Sequence, residues 1–222
     1  MRRIILKISV AIDGPAGAGK STIAKLVGKE HDLMYINTGA MYRAVALKSI
    51  EKNLLPENVK EICELTESLE MHFENDDLIV NGENVQDKIT MPEISSKVSS
   101  YAGIKEVRKI LVKLQRKMSD KYNVIMDGRD IGTVVLKDAD FKFFLTASAQ
   151  ERANRRFKEL QGRNIECSYD EILKDIIERD YKDTHRETDP LKKADDAIEI
   201  DSTSLDINGV VAEINKIIYS KK

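Results

Sequence analysis

The sequence predicts an α/β fold with a mainly parallel sheet, and three observations support this. Short apolar runs of strand length alternate with segments of helical periodicity along the chain. The first apolar run leads directly into a glycine-rich turn and then a helical pattern. One stretch, 71–85, interrupts the alternation with hairpin signals. We therefore expect one α/β domain that carries a small antiparallel insertion.

The first half of the chain supplies two strands, three helices and the insertion. Ile, Val and Leu dominate the first strand segment, and apolar residues return every three or four positions in the helices. Asn-Asp-Asp and Asn-Gly turns divide the insertion into short alternating runs. The expected elements are a strand at 4–12, a helix behind the glycine-rich turn, a strand at 35–36, helices at 40–52 and from Pro56, and hairpins within 71–85.

The second half returns to alternating helices and strands. Two Ser-x-x-Glu patterns, at Ser148 and Ser168, predict capping boxes at the starts of two helices. Apolar residues from 169 to 177 follow helical spacing and predict one buried face that includes Ile177. The remaining elements are helices from Pro92 and over 107–118, strands at 124–126, 141–145 and 197–200, and a closing helix over 210–218.

The composition disfavours several classes of protein. The chain has 36 Lys and Arg residues against 38 Asp and Glu residues, a formal net charge of −2, whereas nucleic-acid-binding proteins usually have a basic excess. No run approaches the roughly 20 apolar residues that span a bilayer. Lys7 and Asp13 interrupt the N-terminal apolar run, which is untypical of a signal peptide. We expect a cytoplasmic monomer with two reduced cysteines and with neither nucleic acid nor membrane as a partner.

A phosphate-binding loop follows the first predicted strand. Residues 14–21 match G-x-x-x-x-G-K-[ST] and lie between a strand and a helix, as a P-loop requires. The glycines let backbone N–H groups approach a phosphate, and the helix adds its positive N-terminus. Lys20 would contact the β- and γ-phosphates of a nucleoside triphosphate, and Ser21 would bind Mg²⁺. The expected triphosphate-binding residues are Gly14, Pro15, Ala16, Gly17, Ala18, Gly19, Lys20, Ser21 and Thr22.

Charged side chains also follow two other predicted strands. Arg43 comes after the strand at 35–36, and Asp127 and Arg129 come at the end of the strand at 124–126. Ligands of parallel α/β sheets bind beyond the carboxyl ends of the strands, so these residues share an edge with the phosphate loop. The planar guanidinium group suits a phosphate, and Asp127 is placed to reach Mg²⁺ through water. The pattern favours a kinase with an anionic acceptor over a switch GTPase, because no [NT]-K-x-D motif is present.

Five blocks of sequence resemble the bacterial cytidylate (CMP) kinases. They are GPAGAGKST (14–22), TGAMYR (38–43), VSSYAGIKEVR (98–108), DGRDIGTVV (127–135) and ERDYKDTHRETDPL (178–191), in the order of that family. The resemblance implies a P-loop NTPase fold in a single domain, 1–222. Its core would comprise about 1–40, 120–150 and 195–222, around a five-stranded parallel sheet flanked by helices. A nucleoside-monophosphate (NMP)-binding subdomain with a small antiparallel sheet would span about 41–119, and a helical lid about 151–190.

The same resemblance implies a reaction and roles for individual residues. The reaction is the ATP-dependent phosphorylation of CMP or dCMP, with Mg²⁺ as cofactor. Arg43 and Arg129 match ligands of the acceptor phosphate, and Asp183 matches a contact to the sugar. Ser99, Arg108 and Asp130 match the hydrogen-bonding contacts to cytosine. In full, the implied residues are Lys20, Arg129, Arg179 and Arg186 for catalysis; Thr38, Arg43, Ser99, Arg108, Arg129, Asp130 and Asp183 for the acceptor; and Ser21 and Asp127 for the metal.

Position 37 departs from the family pattern, because Asn stands where Asp is common. The expected magnesium site therefore binds the metal less tightly or relies more on Asp127. In the predicted lid, Arg156 is a candidate ATP contact, Arg152 and Arg163 are equally consistent with salt-bridged helix surfaces, and His185 is expected to be a surface residue. Two alternatives stay open: a kinase for another acceptor such as UMP, AMP or shikimate, and a nucleotide-dependent RNA-binding module.

Overall fold

The computed structural model describes residues 7–220. In chain order its elements are β1 (Ser9–Asp13), α1 (Lys20–His31), β2 (Met34–Asn37), α2 (Thr38–Glu51), α3 (Val59–Ser68), β3 (Met71–Glu74), β4 (Asp77–Val80), β5 (Glu83–Asn84), α4 (Gln86–Ile89), α5 (Pro92–Ala102), α6 (Lys105–Ser119), β6 (Val124–Gly128), a π-helical turn (Ile131–Val135), β7 (Phe141–Thr146), α7 (Ala149–Gly162), α8 (Tyr169–His185), β8 (Ile198–Asp201) and α9 (Ile207–Ser220).

Five strands form the parallel sheet that the sequence predicts, in the order β2-β6-β1-β7-β8. The register aligns Asp13 with Gly128 and Asn37 with Asp127, so three strands end at the same edge. The insertion is also confirmed: β3, β4 and β5 form a separate antiparallel sheet. A ligand-binding site is therefore expected at the carboxyl ends of β1, β2 and β6.

Apolar side chains bury both faces of the parallel sheet. One core joins the sheet to α2, α3, α5, α6 and the antiparallel insertion, and a second joins it to α1 and α9. The helical pair α7 and α8 has a small cluster of its own, built on Ala153, Leu160, Ile172 and Ile176. Ile177 does not belong to that cluster, because its side chain is 53% exposed. The buried face predicted for this helix is therefore narrower than the sequence pattern indicated.

Several local predictions are confirmed and others are wrong. Ser148 caps α7 by accepting a hydrogen bond from the Glu151 N–H at 3.2 Å, but the Ser168 side chain makes no such bond at the start of α8. The third helix begins at Val59 and not at Pro56, because residues 55–58 form a turn. Of the first predicted strand, residues 4–6 lie outside the described residues. Within 7–220, no helix has the length and apolarity needed to cross a bilayer.

The π-helical turn after β6 was not predicted, and tertiary contacts hold it. Both carboxylate oxygens of the buried Asp13 accept backbone N–H bonds at 2.7 Å, from Ile131 and Gly132. At the other end, Arg116 of α6 donates to the carbonyls of Val134 and Val135. The backbone that directly follows Arg129 and Asp130 in the chain is therefore held in place.

Candidate active site

The glycine-rich loop joins β1 to α1 and packs closely on its surroundings. A Cβ atom at Gly14 would lie 2.0 Å from the Leu145 carbonyl oxygen, so only glycine fits there. Gly17 and Gly19 have φ angles of +77° and +89°, which favour glycine. Lys20 Nζ donates to the Pro15 carbonyl at 2.7 Å. The loop therefore has the backbone that an anion cradle requires.

Behind this loop, three side chains meet at the end of β6. Ser21 Oγ donates to Asp127 Oδ2 at 2.9 Å, and the Tyr35 hydroxyl donates to Asp127 Oδ1 at 2.8 Å. A hydroxyl beside a carboxylate is an oxygen donor set of the kind that Mg²⁺ prefers, and this metal usually keeps several waters and phosphate oxygens. Within the described part of the chain, no group of three or more His, Cys, Asp or Glu side chains is placed to hold a metal. Ser21 and Asp127 therefore fit a magnesium ion that is completed by phosphates and water, and Tyr35 is a neighbour that the sequence did not indicate.

Four predicted cationic residues gather in front of the loop: Lys20, Arg43, Arg129 and Arg179. Burial lowers the pKa of Lys20 and of Arg43, and the nearby Arg129 lowers both further. Burial, followed by the charge of Arg129, lowers the pKa of Arg179 to about 10. Within residues 7–220, the buried Nε atoms of Arg43 and Arg179 have no hydrogen-bond partner. Such a cluster is suited to bind a strongly charged anion.

Asp183 of α8 balances part of this charge. Its carboxylate accepts from Arg129 Nε at 2.8 Å and lies 3.8 Å from Arg186 Nη1. Burial would raise the pKa of Asp183, but Arg129 and Arg179 outweigh burial and hold it below its ordinary value. Asp183 is therefore an ionised side chain between three arginines at the boundary of the cation cluster.

A second buried network surrounds Arg108, which is 1% exposed. Its guanidinium forms an ion pair with Asp130 and donates to Asp189 at 3.0 Å and to the Ala102 carbonyl at 3.2 Å. Its Cζ lies 5.2 Å from the centre of the Tyr42 ring. Burial lowers the pKa of Arg108, but Tyr42 and the carboxylates outweigh it and raise the pKa above its ordinary value. Two of the predicted cytosine contacts, Arg108 and Asp130, are thus brought together, while Tyr42 and Asp189 were missed.

Arg186 connects this network to the cation cluster. Its Nη2 lies 3.8 Å from Asp130, its Nε donates to the Asp189 carbonyl at 2.7 Å, and Asp183 is on its other side. Burial and the charge of Arg108 lower its pKa. Arg186 is therefore placed between the two groups of charged residues.

Ser99 and Thr38 lie less centrally than the other predicted acceptor contacts. Ser99 lines a cleft of about 580 Å³ with Arg186 and the exposed face of α8, and no hydrogen bond among the described residues joins its hydroxyl to Asp130. Thr38 is buried, and its hydroxyl donates to the Asp127 carbonyl at 2.7 Å. His185 is exposed, as predicted, and stacks on Tyr181 with 4.1 Å between ring centroids.

Asn37, the position that departs from the family pattern, caps a helix. Its Oδ1 accepts the Ala40 N–H at 2.8 Å at the start of α2. Asn and Asp are similarly favoured as N-caps, so either residue would support this helix. The register puts Asn37 opposite Asp127, next to the candidate metal site.

The arginines of α7 and of its C-cap, Arg163, contact different parts of the chain. Arg155, which the sequence analysis did not select, donates to the hydroxyl and carbonyl oxygens of Ser202 beside the phosphate loop. Arg156 and Arg163 make long contacts to Thr90, at 3.4 and 3.5 Å. Arg152 is salt-bridged, as one interpretation expected, but it is buried and not on a helix surface.

The fold and the site define the class of this protein as a P-loop phosphotransferase. Two solved structures of low sequence identity share the fold. An uncharacterized protein from Eubacterium ventriosum has a TM-score of 0.54 at 13% identity, covering 96% of this chain and 99% of that one. A shikimate kinase from Bacteroides thetaiotaomicron has a TM-score of 0.51 at 14% identity, covering 96% and 98%.

The sequence comparisons identify the family within this class. The family model for cytidylate kinase matches residues 10–220. A cytidylate kinase of Clostridium perfringens is 65% identical over 208 residues, which cover 94% of this chain and 96% of that protein. One from Clostridium acetobutylicum is 60% identical over 216 residues, covering 97% and 100%. The chain belongs to the cytidylate kinase family.

Proposed function

We propose that this protein transfers the γ-phosphoryl group of ATP to CMP or dCMP and releases ADP and CDP or dCDP. Family membership and the names of the relatives support this substrate pair. The observation in the structure that carries the proposal is the buried cation cluster, in which the Nε atoms of Arg43 and Arg179 have no hydrogen-bond partner among residues 7–220. An ATP phosphate and an acceptor phosphate, brought together, supply the negative charge that this cluster requires.

The chain's own residues would act by alignment and by charge. The acceptor is a phosphate dianion, so the reaction needs no strong general base. Arg43 and Arg129 bind the acceptor phosphate, while Lys20, Arg179 and Arg186 stabilise charge on the transferred group. Magnesium, held by Ser21 and by Asp127 through water, supplies further positive charge when it is bound. Removing a cation from this set should lower kcat more than it weakens ATP binding.

The buried network around Arg108 would select the base. Arg108, Asp130 and Ser99 offer both donors and acceptors, which can distinguish the 4-amino group of cytosine from the carbonyl of uracil. Asp183 binds the sugar hydroxyls, and Thr38 supports the strand end from which Arg129 extends. Because the Arg108–Asp130 pair is already formed and buried, both side chains are held in fixed positions before the base binds.

We further propose a division of the domain into moving parts. A core of about 1–40, 120–150 and 195–222 holds the phosphate loop, 41–119 binds the monophosphate, and 151–190 forms a lid. Support comes from α7 and α8, which share an apolar cluster that is separate from the two larger cores. Helix α8 contains Arg179 and Asp183. Closure of this helical pair would exclude water, which otherwise competes with CMP for the phosphoryl group.

The remaining expectations concern surroundings and partners. The near-balance of charge supports an enzyme that acts on small anions and not on nucleic acid. We propose that it works as a monomer in the cytoplasm, with ATP and one monophosphate as its partners.

A coupled assay of ADP release across several acceptors tests the reaction. CMP, dCMP, UMP, AMP and shikimate would be compared at equal concentrations, with Lys20→Met as the inactive control. We expect the highest kcat/KM with CMP or dCMP. A higher kcat/KM with any other acceptor would overturn the proposal.

A further inference from the structure

Arg152 of α7 is a buried arginine that joins three separate parts of the chain. The residue is 4% exposed. Its Nε donates to the Ala147 carbonyl at 2.9 Å, just before α7, and its Nη1 donates to the Ala16 carbonyl at 3.0 Å. Nη1 and Nη2 also donate to the two carboxylate oxygens of Asp180, at 3.0 and 2.6 Å. One guanidinium therefore connects the phosphate loop, the beginning of α7 and the middle of α8.

The contact with Ala16 orients the backbone of the phosphate loop. In a trans peptide, the carbonyl and the following N–H point in opposite directions, and the chain has no cis peptide bond among residues 7–220. Holding the Ala16 carbonyl toward Arg152 therefore turns the Gly17 N–H to the opposite side. The arginine stem also packs on this glycine, since a Cβ at Gly17 would lie 3.1 Å from Arg152 Cβ. Arg152 therefore contacts the loop at both Ala16 and Gly17, and a movement of that peptide would displace it.

The contact with Asp180 fixes the orientation of α8. A bidentate pair between a guanidinium and a carboxylate restrains both distance and angle. Asp180 directly follows Arg179 in α8. The positive charge of Arg179 lies near those of Lys20 and Arg129. Rotation of α8 that broke the pair with Arg152 would also move Arg179 relative to the cation cluster.

We propose that Arg152 and Asp180 are positioning residues that couple occupation of the phosphate loop to the placement of Arg179. The inference rests on the proposed function, in which Arg179 stabilises the transferred phosphoryl group. A phosphate bound to the loop fixes the peptide between Ala16 and Gly17, this peptide holds Arg152, and Arg152 holds α8 through Asp180. Neither positioning residue needs to touch ATP or CMP.

Kinetics of two mild substitutions test the coupling. Arg152→Lys keeps the charge but loses the fork, and Asp180→Asn keeps the shape but loses the charge. We expect each to lower kcat by about 10- to 100-fold, with the KM values for ATP and CMP changed less than about 3-fold. The double variant should be no slower than the slower single variant, because both changes break one link. Asp180→Glu should recover part of the loss, and Arg163→Lys, an exposed arginine near the end of the same helix, should leave kcat unchanged.

Hydrogen exchange of α8 separates coupling from a merely structural role. Amide exchange over 169–185 would be measured with and without a non-hydrolysable ATP analogue, whose affinity is measured separately by calorimetry. In the unmodified protein we expect the analogue to slow exchange in α8, and in Arg152→Lys and Asp180→Asn we expect this response to be lost while the affinity changes less than about 3-fold. Variants that bind the analogue and still protect α8, or that keep the full kcat, would overturn the inference. This response does not depend on the acceptor, so an unmodified protein that failed to phosphorylate CMP would overturn the proposed function separately.

Discussion

Replacing Arg179 by methionine should make the nucleotide-free protein more stable and much less active. The structure holds this arginine near Lys20 and Arg129, its buried Nε has no partner among residues 7–220, and burial followed by the charge of Arg129 lowers its pKa to about 10. A change of one pKa unit corresponds to about 1.4 kcal/mol, so keeping this charge buried costs about 3 kcal/mol at most. Methionine has a similar length and no charge, so most of that cost disappears in Arg179→Met.

Urea unfolding of the nucleotide-free protein measures the first half of this prediction. Arg179 is partly exposed, so water screens some of the repulsion, and we expect a gain of about 1–3 kcal/mol in the free energy of unfolding. With an m-value of about 2 kcal/mol/M, the midpoint should rise by about 0.5–1.5 M urea. The arginine is charged in both the folded and the unfolded states below its folded pKa. The gain is therefore complete at neutral pH and shrinks only as pH rises above about 10.

Steady-state kinetics measure the second half. Loss of one charged donor to the transferred group should lower kcat by about 100- to 1,000-fold and change the KM for ATP far less. Arg163→Met is the matched control, because this exposed arginine should change stability by no more than about 0.5 kcal/mol. If Arg179→Met unfolded at a lower urea concentration than the unmodified protein, the cluster would not be strained and the reasoning would be refuted.

Three further predictions concern the base, the metal and pH. Asp130→Ala removes one of the two carboxylate partners of Arg108, so we expect the ratio of kcat/KM for CMP to that for UMP to fall at least about 10-fold; an unchanged ratio would mean that the base is recognised elsewhere. Asn37→Asp keeps the N-cap of α2 and adds a carboxylate opposite Asp127, so half-maximal activity should require less Mg²⁺ in a metal titration, and an equal or higher requirement would contradict this. Burial raises the pKa of Asp13 to about 7 against the lowering effect of its two backbone hydrogen bonds, so the folded state holds this proton more tightly and stability from this group is lost as pH rises from about 4 to 7. Urea midpoints at pH 5 and 7.5 should therefore fall more in the unmodified protein than in Asp13→Asn, and parallel falls would exclude Asp13 as the source.

The sequence predicted the architecture well because periodicity and the phosphate loop are local signals. The buried strands β1, β6 and β7 are short apolar runs, and Asn-Gly and Asn-Asp turns indicate the insertion. The charged residues after strands were also found, because parallel strands end at a common edge. Arg108 and Asp130 were selected only through resemblance to a family, and their ion pair was not predicted, since no spacing rule relates those two positions.

The structural features that the sequence did not predict depend mainly on contacts between distant segments of the chain. The π-helical turn exists because Asp13 and Arg116 hold its two ends, and neither residue is near it in the chain. Arg152 lies in a stretch rich in charged residues that is typical of a helix surface, yet it is buried and its partner Asp180 lies 28 positions away on another helix. Pro56 is a common helix-starting residue, but the turn made with Asn58 delays the helix to Val59.

The length of the π-helical turn also bears on which acceptor this site can bind. Such a turn contains one residue more than an α-helical turn, and one residue corresponds to about 100° around a helix axis. Asp13 holds Ile131 and Gly132, and Arg116 holds Val134 and Val135. Deletion of a single residue from Ile131–Val135 would break one of these anchors and free the adjoining Asp130 from its fixed position beside Arg108. Under the role proposed for Arg108 and Asp130, we therefore expect a change of length at this one place to alter which acceptors are used, without any substitution in the buried network.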